Sequence, residues 1–132
     1  MITFRSSDIE ELVSGLSKEL PRNSREVDGK QAFSFVHGEK VAEFLLPQYA
    51  PEEIWIALFS SPANFKAGIA DLVMVEEPAT EVGKQEILRH LEAVAWRYLK
   101  APTRLRRRWV VFGARFLEYY HDREWKDIYA YD

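Results

Sequence analysis

Apolar and polar positions along this chain change their period several times, and each change marks a boundary. From Ile9, the residues Leu12, Val13, Leu16 and Leu20 fall at the i, i+3, i+4, i+7 spacing of one helix face. Ser7-Asp8-Ile9-Glu10 reads as a capping box, in which the Ser7 hydroxyl accepts the Glu10 N–H and the Glu10 carboxylate reaches back. Pro21 cannot continue the hydrogen-bond ladder. The pattern predicts a helix over 7–20.

Beyond Pro21 the period falls towards two. Asp28-Gly29 is a residue pair suited to a two-residue hairpin turn, which needs positive φ. Gln31 to Val36 then sets Phe33 and Phe35 on one face, with Ala32, Ser34 and Val36 on the other. His37-Gly38-Glu39 reads as a second turn, and Val41 to Leu46 as a short strand or a helical turn. Ile54 to Phe59 is an unbroken apolar run, the pattern of a strand buried on both faces. Ala67 to Val75 is read as another strand, with Asp71 its one charge, ended by Glu76-Glu77-Pro78.

The longest helix is predicted over 80–100, where Ile87, Leu88, Leu91, Val94, Ala95, Tyr98 and Leu99 form one stripe at 100° per residue. Pro102 closes it. Trp109 to Tyr120 reads as a strand hairpin turning at Gly113-Ala114, and Asp127 to Tyr131 as a last short strand. Helix, strands, long helix, strands is the order of an α+β domain. The expectation is one domain over 1–132, with a mostly antiparallel sheet packed by a short N-terminal helix and a long central one. A helix joining two parallel strands in the middle is the alternative.

Composition narrows the class without naming a function. The 132 residues carry 18 Lys and Arg against 21 Asp and Glu, a net charge of −3 that selects no partner. There is no cysteine, which removes disulfides, thiolate metal sites and cysteine nucleophiles. No apolar run reaches the ~20 residues of a membrane span, and the first residues do not read as a secretory signal. A cytoplasmic protein with no membrane partner is the expectation. His37, His90 and His121 show no zinc-ligand spacing, and no phosphate-cradling glycine loop or G-x-S-x-G elbow occurs, so no cofactor is expected. His90 lies at the edge of the long helix's stripe and reads as a half-buried packing residue, while His121-Asp122 reads as a turn.

Charge is nevertheless segregated. No acid lies between Glu92 and Glu118, a stretch that holds Arg104, Arg106, Arg107 and Arg108. Arginine forks match phosphate and carboxylate, and nearby Trp109, Tyr119 and Tyr120 could stack on bases. The bland counterpart is pairing with acids of the same fold. On the long helix Trp96 sits opposite the apolar stripe, beside Arg89 and Lys100. There it is either a second packing contact or an anchor for a partner. The aromatic C-terminus, with Trp125, Tyr129 and Tyr131, reads as a docked edge strand, or as one that pairs with a second copy or another protein.

The opposite territory is Asp71, Glu76, Glu77 and Glu81, followed by Lys84; Asp71, Glu76 and Glu77 are the alternative metal-holding set. From Ile54 to Glu118 the element order resembles the core of the PD-(D/E)XK nuclease superfamily, in which an acid on one strand is followed by Glu-x-Lys on the next. Asp71 stands where the first acid would. Glu76 is followed two places on by Pro78, and Glu77 by Ala79, so the Glu-x-Lys is absent. The resemblance therefore implies a degenerate metal-dependent nuclease. The first expectation is a non-catalytic protein of inhibitor, immunity or adaptor type. It would bind another macromolecule, in first place a protein, through Trp96, Arg89, Lys100, Arg104, Arg106, Arg107 and Arg108. Nucleic-acid binding by the arginines is the alternative, and pairing with a second copy is open.

Overall fold

The computed structural model describes residues 1–108 and 114–131, with the backbone alone at 107, 108, 114 and 115. Helix α1 (Ser6–Ser17) buries Ile9, Leu12, Val13 and Leu16, the predicted face. Its cap differs from the prediction. Arg5 is the N-cap, and its N–H donates to Asp8 Oδ2 at 2.7 Å, so the acid reaching back is Asp8 and not Glu10. A tertiary contact accounts for the shift, because the same Asp8 oxygen accepts from Lys84 Nζ at 3.3 Å.

Strands β1 (Arg22–Val27), β2 (Lys30–His37), β3 (Lys40–Pro47), β4 (Ile54–Phe59) and β5 (Leu72–Glu76) form a sheet in the order β1-β2-β3-β4-β5, every pair antiparallel. The β1–β2 turn has positive φ at both Asp28 and Gly29, the I′ pattern expected of Asp-Gly. At the β2–β3 turn Gly38 alone is positive. Val41 to Leu46 is strand. The strand predicted over 67–75 is corrected. Residues Pro62–Ala67 form a short helix α2, capped by Ser61 Oγ on the Asn64 N–H and closed by Gly68 at φ +71, and β5 begins only at Leu72. The signals were present, since Ser61-Pro62 is an N-cap followed by an N1 proline and Gly68 is a left-handed stop.

Helix α3 (Glu81–Lys100) buries the whole predicted stripe, from Ile87 to Leu99. It packs with α1 on the sheet face carrying Phe33, Phe35, Phe44, Ile56 and Leu58. The other face carries Ala32, Val41, Leu45, Ala57 and Phe59, against which α2 places Phe65. Lys40 closes the C-terminus of α3, donating to the Tyr98 and Ala101 carbonyls at 3.0 and 2.9 Å.

After Pro102 a second antiparallel sheet follows, in the order β6 (Thr103–Arg108), β7 (Ala114–His121), β8 (Glu124–Asp127). An antiparallel β6–β7 pair is present, but its first strand is Thr103–Arg108 and not the predicted arm from Trp109. Trp109 and Gly113 lie outside the described residues, and Ala114 is already in β7 opposite Arg108. The last strand is 124–127 and not 127–131, with Asp122 and Arg123 making the preceding turn at positive φ. The chain is thus a single α+β domain, and among the described residues it has three helices and two antiparallel sheets where one sheet was expected. Among the described residues no parallel pair occurs, which corrects the alternative topology.

Candidate functional site: the open edge of β5

The helical repeat of α3 does set Arg89, Trp96 and Lys100 on one face, but the ring is not an exposed anchor. Trp96 is half-buried and packs against the main core, with Lys100 Nζ 5.8 Å from its ring centroid and 3.6 Å from Glu19 Oε2. Arg89 is exposed and lines a polar cleft between α1 and α3 beside Gly15 and Glu92. Burial raises the Glu92 carboxyl above its ordinary pKa, with Lys18 opposing.

The four arginines stand on strand β6. Arg104 Nε donates to the buried Glu118 at 2.9 Å across β6 and β7, and its guanidinium lies 4.1 Å from the Trp125 ring centroid. Its acid is on the next strand, outside the 71–81 territory. Arg106 is exposed, and Arg107 and Arg108 hold β6 positions opposite Arg115 and Ala114, their side chains outside the described residues.

The acids of the second territory are separated. Asp71 precedes β5 and accepts from Tyr98 Oη at 3.1 Å. Glu76 ends β5, about 16 Å further along an extended chain, and accepts from Tyr129 Oη at 2.8 Å and Tyr131 Oη at 3.3 Å. Glu77 is exposed. Lys84 is buried at the start of α3, where its hydrogen bond with Glu81, opposed by burial and assisted by Asp8, raises its pKa. Among the described residues no three His, Asp or Glu side chains converge as metal ligands.

The two edges of the five-stranded sheet differ in kind. Edge β1 is guarded by Arg22, Asn23, Arg25 and Glu26, all exposed, the polar dressing that discourages strand addition. Edge β5 reads Leu-Val-Met-Val, and among the described residues it has a neighbour on one side only. Its side chains alternate. Val73 and Val75 are 51% and 47% exposed on the outer face, next to half-buried Trp55, while Leu72 and Met74 turn to the helix face. There they meet an open cleft of about 440 Å³, whose other wall is Phe116, Leu117, Ile128 and Tyr129 of the second sheet and the segment after it. Arg97 fixes that segment by donating to the Ile128 and Ala130 carbonyls at 3.1 and 2.8 Å, and Tyr131 stacks on His90 with centroids 3.6 Å apart.

Sequence reasoning did not single out Val73, Met74 or Val75. A run apolar at every position hides its alternation, and the acids bracketing it were the one available signal. Comparison with protein-family models, curated proteins and solved structures returns no match. The likeness to PD-(D/E)XK nucleases accordingly rests on element order alone.

Proposed function

We propose that this chain is a non-catalytic protein-binding domain, of inhibitor, immunity or adaptor type, whose partner docks along β5 and the cleft beside it. One observation carries the reading: an unguarded apolar sheet edge opens onto an apolar cleft, while the opposite edge of the same sheet is dressed with charge. Contiguous apolar surface of this sort marks interaction sites on soluble domains. The test is a Val73→Lys/Val75→Lys variant. Binding to a purified partner should weaken at least about tenfold, or 1.4 kcal/mol, at unchanged melting temperature. A partner that binds this variant as well as wild type sinks the reading.

A second reading, nucleic-acid binding, is favoured by the outer face of β6–β8. Arg104 and Arg106 share that face with Trp125 and with Tyr120, which is 41% exposed. Single-stranded DNA or RNA would then bind with steep salt dependence and be lost in Arg106→Glu. The same titration with Mg²⁺ or Mn²⁺ reads out the degenerate nuclease, whose cleavage Asp71→Asn would abolish.

A further inference from the structure

Resting on the protein-binding reading, we infer that the partner contributes an extended segment that joins the five-stranded sheet as a sixth strand on β5. Its apolar side chains would alternate between the cleft and Val73/Val75, and Lys or Arg would stand near its ends.

Backbone chemistry selects an extended ligand. Every second residue of β5 turns its N–H and C=O away from β4, and another strand meets such groups at matching spacing. The side chains select alternation. A strand laid on β5 sends successive side chains to opposite faces. One set enters the cleft between Met74 and Ile128, and the other lies beside Val73 and Val75 near Trp55.

Charge selects the ends. Asp71 stands at one end of β5 and Glu76 and Glu77 at the other, with Asp127 at the cleft rim. Tyr98 answers Asp71, and Tyr129 and Tyr131 answer Glu76, but a tyrosine hydroxyl donates a hydrogen bond without supplying positive charge. Among the described residues no ion pair neutralises Asp71, Glu76 or Glu77.

The same arrangement disfavours a second copy. Two β5 strands paired antiparallel about Met74 would set Asp71 of each against Glu77 of the other, acid facing acid at both ends. Like charges directly opposite are destabilising.

The test uses the full chain and three labelled synthetic peptides of about nine residues, long enough to span β5. All share an alternating Val/Thr/Ile centre. The first ends in Lys at both termini, the second in Glu, and the third is the Lys form with a central Pro. Fluorescence polarisation should show the Lys form binding at least about tenfold more tightly than the Glu form, with no binding of the Pro form. Binding of the Lys form should disappear in Val73→Lys/Val75→Lys and weaken in Asp71→Asn/Glu77→Gln, both with melting temperatures near wild type. Sedimentation should show a monomer.

Lys and Glu forms that bind alike, yet are both lost in Val73→Lys/Val75→Lys, overturn the basic ends and leave docking on β5 standing. Failure of every peptide overturns the extended segment; the reading beneath it is then judged by whether a folded partner still discriminates the valine variant. A dimer that dissociates in Val73→Lys/Val75→Lys makes the occupant a second copy and overturns the inference.

Discussion

Arg25 lies over Glu43 on the outer face of the larger sheet. Glu43 is only 2% exposed, and Arg25 Nε and Nη2 reach its two oxygens at 2.9 and 3.1 Å while the guanidinium stacks 4.4 Å from the Phe65 centroid of α2. Removing the fork leaves a buried carboxylate with its charge unanswered, so Arg25→Ala should cost about 2 kcal/mol in denaturant unfolding. A change under about 0.5 kcal/mol would show that water replaces the fork at no expense. Trp96 is also held by packing. Half-buried on the main core, it should cost about 2 kcal/mol when cut to Ala, and an unchanged midpoint would restore it as a free anchor. Neither pairing was legible in the sequence. Arg25 and Glu43 are 18 positions apart, on strands joined only through β2, and the wheel of α3 showed Trp96 off the main stripe without showing what covers it.

Elements were legible wherever local chemistry and periodicity agreed. The faces of α1 and α3, the Asp28-Gly29 turn and the β4 run follow from spacing and turn residues alone. Helix α2 had its local signals in Ser61-Pro62 and Gly68, whereas two other differences are decided by a neighbour. The α1 cap slid towards Lys84, and the four close-set arginines became a strand because β7 supplies its hydrogen bonds and Glu118 answers Arg104. The β7–β8 turn shows the converse, since Asp122 and Arg123 take φ of 50° and 66° without a glycine. Arg123→Gly should therefore raise stability by about 0.5–1 kcal/mol, relief of the left-handed Cβ clash outweighing the extra freedom of the unfolded chain. A lower unfolding midpoint in this variant would mean that the Arg123 side chain contributes more than its backbone costs. At β5 the missing information was its place at the end of the strand order, which no pattern within the run could report.

At the scale of the molecule, tyrosine hydroxyls tie the parts together: Tyr98 joins α3 to Asp71, and Tyr129 and Tyr131 join the C-terminal segment to the end of β5. Burial, with Asp71 for Tyr98 and Glu76 for Tyr129, raises both phenols well above the ordinary value, and burial and Glu76 push Tyr131 up to about 12. An unfolded tyrosine titrates near pH 10. These groups bind their protons more tightly when folded, so their contribution is whole below about pH 10 and is lost as pH rises from there through the folded values. Stability followed by denaturant titration should hold between about pH 8 and 10 and then fall, with Tyr129→Phe blunting the fall; an identical fall in that variant would place its origin elsewhere. No helix among the described residues is long and apolar enough to cross a membrane.

If β5 is a vacant place in the sheet, backbone amide exchange will report it strand by strand. Exchange is measured with and without the Lys-ended peptide. The outward N–H groups of β5 should exchange fast in the free chain and become protected on addition of the peptide, while β1 is unchanged. Protection at β6 or along α3, with β5 unaffected, would contradict it.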